Sequence, residues 1–535
     1  MARKHQRPVA TRQQELVPVR ETCECCDGTL WKAYRSVRTI ATLDGLYQLL
    51  LTVRRCHNRA CERYRQPYRP EEEGAWALPH GEFGLDIIAL IGTLRYERHQ
   101  SVPEIHQELC KRGVVIAERT VTNLLARYEE LVTLHLTDQT RLRERLATQR
   151  HVILALDGLQ PDVGHEVLWI LRDCVSGEVL VARSLLEATE NDLVPLLEEV
   201  VGICQQLAIP ISGVITDGQH SIRNAVAHVL PGIPHQLCHF HYLREAAKPV
   251  YEADKHAKKE LKKHLRGVRP IERAVEQRND AEAEAIRGYC LAVRSALTDD
   301  GRPPLAAPSL KLYERITAIA ASLTRVSGKG GLPRELERMQ VFLEKGLTKT
   351  AALWSDVKLG YAWVHRAAHI LTNDDKQAAA QVRQTYECLM TEMEQALTLS
   401  ETLTAMLTIF RKVTGSYWPG LFHCYDLADL PRTNNDLEQY FGSARYHERR
   451  ATGRKAASPG VVIRGSVRVV AGVATRLRQL SARDLQPTDV ERWYVLRDEL
   501  DMRKLARRAQ FRFRRDPDTY LADLENKLLL LKLPP

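Results

Sequence analysis

A chain of 535 residues that is 44% hydrophobic and 27% charged is long enough to bury more than one core and too apolar for wholesale disorder. Its 77 Lys+Arg against 67 Asp+Glu leave a formal charge of +10, which suits a polyanionic partner without requiring one. No uninterrupted apolar run approaches the ~18 residues of a membrane span, and Met1-Ala-Arg-Lys-His-Gln-Arg-Pro8 has no apolar segment behind its charges, so neither a membrane protein nor a secreted one is expected.

Twelve cysteines are present, and five of them (Cys23, Cys25, Cys26, Cys56, Cys61) fall in the first 61 residues. With no secretory signal, their thiols are expected reduced and available for metal. Cys23-x2-Cys26 and Cys56-x4-Cys61 are two knuckles, each able to hold half of a tetrahedral Zn2+ site. A strand over Leu46–Val53, after the turn signal Asp44-Gly45, would bring the second knuckle back to the first. The second spacing is wider than usual, which leaves Cys25 and His57 as substitute ligands. Residues 1–75 are read as a small zinc-ribbon-like domain.

Residues 80–148 read as helices. Leu85, Ile88, Ile91 and Leu94 keep helical spacing. Ser101-Val-Pro-Glu104 is a capping box that opens a second helix, ended by Gly113. A third begins at Ala117-Glu-Arg-Thr120 and carries Val121, Leu124, Leu125 and Tyr128. Helix, glycine turn, helix is the layout of a helix-turn-helix, whose last helix presents its first side chains to the major groove. Arg119, Thr120, Thr122 and Asn123 are the candidate readers; a plain packing module has the same pattern.

After Gln149 the texture changes. His151-Val-Ile-Leu-Ala-Leu-Asp157-Gly158 is a β run ending on a carboxylate. Strands are expected at Val167–Asp173 and Glu178–Leu186, and a helix from Asn191 to Leu207. Ile211-Ser-Gly-Val-Ile-Thr-Asp217-Gly218 is a second strand ending on Asp-Gly, followed by a helix over Ser221–Leu230 and a short strand, His235–His241. Three strands, helix, strand, helix, strand is the element order of an RNase H-like fold, with residues 150–245 as its first part. There the first and fourth strands are neighbours, so Asp157 and Asp217 would share a metal site. Either Asp-Gly alone is more often a turn; the pair in this order is the stronger signal, and the glycines would leave room for a phosphate backbone.

A third carboxylate is expected on a later helix, in residues 429–460. In Pro431-Arg-Thr-Asn-Asn-Asp-Leu-Glu438-Gln-Tyr-Phe441, Asn434 or Asn435 can cap the helix, Leu437, Tyr440 and Phe441 can pack, and Glu438 is the candidate, with Asp436 competing. Arg445, Arg449, Arg450, Arg454 and Lys455 follow as candidate phosphate contacts. From Phe441 to Arg515 there are 19 Lys+Arg against 7 Asp+Glu, so the basic excess is concentrated there.

Residues 246–428 read as a helical insertion with helices at Val250–Leu265, Ile271–Leu297, Leu310–Thr324, Leu336–Leu347, Gln377–Leu399 and Thr402–Val413. Its breaks fall at Asp300-Gly-Arg-Pro-Pro and Gly328-Lys-Gly-Gly-Leu-Pro. Trp354, Trp363 and Trp418 could stack on a base but are more simply core. Residues 461–535 read as basic helices ending in a leucine-rich face suited to packing or self-association.

The set Asp157-Gly, Thr216-Asp217-Gly with Ser221 and Asn224-Ala225, Cys238-x2-His241 with Arg244, and Asn435-x2-Glu438 resembles the DDE transposases of prokaryotic insertion sequences and their Mutator-like relatives, over roughly Val152–Lys455. The resemblance implies a multidomain α/β and α chain with an RNase H-like mixed sheet core interrupted by the insertion. It implies that Asp157, Asp217 and Glu438 bind two Mg2+ (or Mn2+) per active site, with Cys238 and His241 as the family's Cys-x2-His signature. The implied partners are double-stranded DNA, as element terminal repeats and target, and further copies of the chain in a homodimer or higher oligomer; no membrane is involved, and a cytoplasmic, nucleoid-associated location follows. An inactive transposase-derived regulator and a structure-specific nuclease are the alternatives.

Overall fold

The computed structural model describes residues 9–160, 166–298, 304–395, 400–454 and 459–532. The chain is mixed α/β and divides into two compact units, Met1–Ile211 with Asn435–Pro535, and Ser212–Asn434. No helix among the described residues is long and apolar enough to cross a membrane.

The first unit opens with β1 (Arg12–Leu16), β2 (Leu30–Thr42), β3 (Gly45–Cys56) and β4 (Pro67–Tyr68). β3 is the hub of this sheet, parallel to β1 and antiparallel to β2 and β4. The β2–β3 turn needs Gly45, whose φ of +127° is open at low cost only to glycine. The register sets Leu30 opposite Cys56, so the hairpin returns the second cysteine knuckle to the first. The cores here are small: Leu16, Ile40, Leu49, Leu51 and Ala77 form one, and the cysteines with Leu30 and Tyr68 another.

Next come α1 (Glu73–Trp76), α2 (Leu85–Tyr96), α3 (Val102–Lys111), α4 (Glu118–Leu136) and α5 (Gln139–Leu146). The Ser101 N–H and hydroxyl both donate to Glu104 Oε2 at 2.7 Å, the expected capping box. Gly113, at φ +81°, ends α3 while the Val114 N–H bonds Leu109 O at 3.0 Å. α2 crosses α4 at Gly92, where a Cβ would stand 2.1 Å from the Tyr128 ring.

β5 (Val152–Leu159), β6 (Val167–Asp173) and β7 (Val179–Leu185) form an antiparallel meander. α6 (Glu190–Gln206) starts from Thr189, whose hydroxyl bonds the Asp192 carboxylate. The chain then returns beside β5, the Val152 N–H donating to Pro210 O at 2.9 Å.

β8 (Ile211–Thr216) leads into the second unit, where α7 (His220–Val229) connects it to the parallel strand β9 (His235–Leu237). The strand expected to reach His241 stops at Leu237, because Cys238 becomes the N-cap of α8 (His239–Ala246). The remainder is helical: α9 (Lys248–His264), α10 (Val268–Ala274), α11 (Ala281–Leu297), α12 (Pro308–Gly330), α13 (Arg334–Thr372), α14 (Ala379–Gln395) and α15 (Glu401–Tyr417). The single helix expected over Ile271–Leu297 is two, since Asp280 caps a new start by accepting from the Ala283 N–H at 2.9 Å. The helix expected to end at Leu347 runs on through 39 residues. Gly346 and Gly360 do not break it but let α9 come close, against Leu261 and His264 and against Val250. The break at Asp300-Gly-Arg-Pro-Pro lies largely outside the described residues; the other break begins at Gly331, the C-cap of α12 at φ +80°. Asp254, fully buried on α9, accepts the Ser309 and Leu310 N–H groups and so caps α12 from the side. One continuous apolar core runs through this unit, with Trp354 and Trp363 inside it, as expected of core tryptophans.

The chain rejoins the first unit with α16 (Asn435–Thr452), α17 (Pro459–Leu477), α18 (Val490–Arg515) and α19 (Pro517–Lys532). α17 packs on α4, where Arg464 pairs with the buried Glu129 and Glu130 at 2.9 and 3.1 Å.

Candidate functional site

The N-terminal knuckles close on one point. The Cys23 N–H donates to Gly28 O and Asp27 takes a positive φ of 49°, curling residues 23–28 into a tight turn. Residues 56–65 curl likewise, the Arg65 N–H bonding Cys56 O. The sulfurs of Cys23, Cys26, Cys56 and Cys61 all lie within 4.8 Å of one another, and two cross-knuckle pairs, Cys23–Cys61 and Cys26–Cys56, are 3.7 Å apart. Thiolates 2.3 Å from a tetrahedral Zn2+ stand about 3.8 Å apart, so the four fit that ion. Cys25 and His57 are exposed and outside the group, so among the described residues these four cysteines are the ones placed to hold a metal.

Electrostatics point the same way. The Tyr68 hydroxyl, 3.2 Å from Cys23 Sγ, pulls that thiol down to about 6. The Arg63 backbone N–H favours the Cys61 thiolate, but burial and the neighbouring sulfurs outweigh it and push Cys61 up to about 12. Four thiolates cannot coexist in this space without a cation. Tyr68 is a contributor that spacing alone did not reveal.

In the first unit, Asp157 sits half-buried on β5 opposite Ile170, and the Gly158 N–H donates to its Oδ1 at 2.8 Å. α16 packs against β5. Leu437, Tyr440 and Phe441 are buried beneath the helix, Glu438 is half-buried, and the competing Asp436 is exposed. Arg172 of β6 lies over the Tyr440 ring, 5.9 Å from its centroid.

In the second unit, Asp217 follows β8 directly. The Gln219 N–H donates to its Oδ1 at 2.9 Å, and the Tyr417 hydroxyl donates to its backbone carbonyl at 3.0 Å. Arg223 bonds Gly218 O through Nε at 2.7 Å and Ser416 O through Nη1 at 2.7 Å, and lies over the Tyr417 ring at 4.7 Å. Tyr417 and Arg223 therefore fix the Asp217 turn from α15 and α7; no sequence pattern distinguished them. Gly218 takes φ +92°, and a Cβ there would meet the Tyr417 ring at 2.6 Å; at Gly158 a Cβ would meet Val167 at 2.8 Å. Both glycines are required by protein neighbours, in addition to any room they leave for a backbone phosphate.

Cys238 is fully buried. Its N–H donates to Thr216 O at 2.8 Å, and its Sγ accepts the Asn434 N–H at 3.4 Å. The His239 N–H donates to Arg432 O at 3.0 Å, and His239 Nε2 is 2.7 Å from Leu421 O. Cys238 thus bonds the residue before Asp217 through its backbone N–H and Asn434 through its thiol. His241 is buried in α8.

The residues proposed as DNA contacts are at the surface. Arg119, Thr122 and Asn123 are exposed and Thr120 half-buried at the start of α4, above buried Val121 and Leu125; Arg445, Arg449, Arg450 and Arg454 are exposed on and after α16. Lys455 lies outside the described residues. Comparison with family models and with curated proteins finds no match for the chain.

Proposed function

We propose that the chain is a DNA transposase that cleaves and joins DNA by carboxylate-held divalent cations. The observation that carries the reading is the packing of α16 on β5, which joins the elements bearing Glu438 and Asp157 although they are far apart in sequence. Asp217, held by Gln219, Tyr417 and the Arg223-braced turn, is the third carboxylate of this reading. When bound, two Mg2+ or Mn2+ ions would activate a water or 3′-hydroxyl and stabilise the departing oxygen. The protein groups would hold that chemistry rigid: Asp157 is paired within β5, Asp217 directly follows β8, and Glu438 lies in the first turn of α16. Arg445, Arg449, Arg450 and Arg454 would neutralise phosphates. The cysteine cluster with α2–α4 would form a zinc-ribbon and helix-turn-helix front end that reads the element ends.

The test is cleavage and strand transfer on double-stranded DNA in Mg2+ or Mn2+. Asp157→Asn, Asp217→Asn and Glu438→Gln should each lower cleavage about 10^3-fold, as expected for losing a Lewis acid worth several kcal/mol, with DNA binding retained. Binding without cleavage by the unaltered chain would favour the inactive regulator, and cleavage without joining the structure-specific nuclease.

A further inference from the structure

The last two helices present an apolar surface that the first unit leaves uncovered. α18 is anchored by its first half, where Trp493 and Leu500 are buried and Arg503 bonds Ile463 O and Glu166. Beyond Leu500 no described residue of α18 is buried, and from Leu521 to Leu531 every residue of α19 is exposed. α19 meets α18 at the bend, where the Phe513 and Tyr520 rings are 5.7 Å apart.

The exposed residues are patterned. Leu521, Leu524, Leu528 and Leu531, 46%, 39%, 58% and 83% exposed, follow at three, four and three residues, the spacing of a seam that receives another helix. On α18, Met502, Leu505 and Phe513, 66%, 52% and 43% exposed, line up with Ala509 at three, four and four. A helix of 16 residues without tertiary cover is marginal in water, and patches of this kind mark interaction sites. The charges state what covers it. Residues 502–515 hold seven Lys+Arg and no acid, whereas 516–527 hold Asp516, Asp518, Asp523 and Glu525 against one lysine.

We propose that this surface docks a second copy of the chain, α19 of each copy lying along the α18 of the other, leucine seam on apolar stripe and acidic flank on basic flank. The inference is independent of the catalytic reading, because it concerns association without DNA or divalent cation.

Light scattering of the full chain without DNA should give about twice the 60.9 kDa chain mass,. Leu524→Arg with Leu528→Arg should give the single-chain mass, with a circular dichroism spectrum that loses no more helix than α19 contributes,. Should that variant misfold, charge exchange supplies the second arm. Arg508→Glu/Arg512→Glu and Asp523→Lys/Glu525→Lys chains should each self-associate at least about tenfold more weakly, and pair with each other when mixed. A single-chain mass for the unaltered protein at micromolar concentration, doubling only on adding DNA or anionic vesicles, or no pairing of the exchanged chains, would overturn the proposal.

Discussion

The cysteine module and the helical body of the second unit solve stability in opposite ways. The module has two cores of five buried residues each and brings four thiols together within one of them, where a metal would add what so small a core lacks. The helical body has one long apolar core from Leu237 to Phe422 and tucks its few polar groups against exact partners, as Asp254 does under α12. Small domains that cannot bury enough surface lean on a metal; large ones lean on packing. The same contrast governs the candidate chemistry, since the carboxylates stand on elements held by packing and not by the cysteine site.

The sharpest way to break this contrast is to remove metal. Chelation, or Cys56→Ser, should unfold the cysteine module, because structural zinc supplies on the order of 10 kcal/mol of apparent folding energy. The helical body should keep its thermal transition, followed by hydrogen exchange resolved along the chain. Loss of protection in both regions together would contradict the division.

Acid should discriminate the other way. Burial first, then Arg223 and His423, holds His235 down at about 4. Burial likewise holds His239 at about 4, against the opposing pull of its bond to Leu421 O and with help from Arg432. An unfolded histidine titrates near 6.5, so between about 6.5 and 4 the unfolded chain binds the extra protons. Stability of the second unit should therefore be level above pH ~6.5 and fall by a few kcal/mol as pH drops toward 4. A chain with both imidazoles replaced by glutamine should lose this slope; a slope that persists would mean other groups carry it.

A smaller effect sharpens the packing half of the comparison. Tyr386 and Tyr242 share a buried hydroxyl contact at 2.5 Å, and Tyr242 also meets Thr414 at 2.7 Å. Tyr386→Phe leaves Tyr242 one partner, so denaturant unfolding of the second unit should shift by only about 1 kcal/mol, with none in the cysteine module.

These regions also differ in how openly the sequence declares them. The cysteine cluster was legible because its members come as two short-range pairs around a hairpin; only the exclusion of Cys25 and His57 from it needed coordinates. Helix starts governed by adjacent side chains, such as Ser101 with Glu104, were equally plain. The strand end at Asp217 was legible for the same local reason, whereas β5 runs past Asp157 to Leu159 because Gly158 and Leu159 still pair with β6. What escaped is long-range. Gly346 and Gly360 serve close helix contact inside α13, which runs well past the expected end at Leu347, and the brace of Tyr417 and Arg223 on the Asp217 turn joins residues some two hundred positions apart. The Cys238 tie to Asn434 is of that kind too: a signature marks the residue, but only the fold says what it touches.

The claim on which the functional account depends is that Asp157, Asp217 and Glu438 serve one set of cations. Calorimetric titration of the zinc-loaded protein with Mn2+ tests it most directly. The account predicts binding by the unaltered chain that is weakened at least about tenfold, some 1.4 kcal/mol, by each of Asp157→Asn, Asp217→Asn and Glu438→Gln. Affinity and stoichiometry unchanged in all three variants would contradict it.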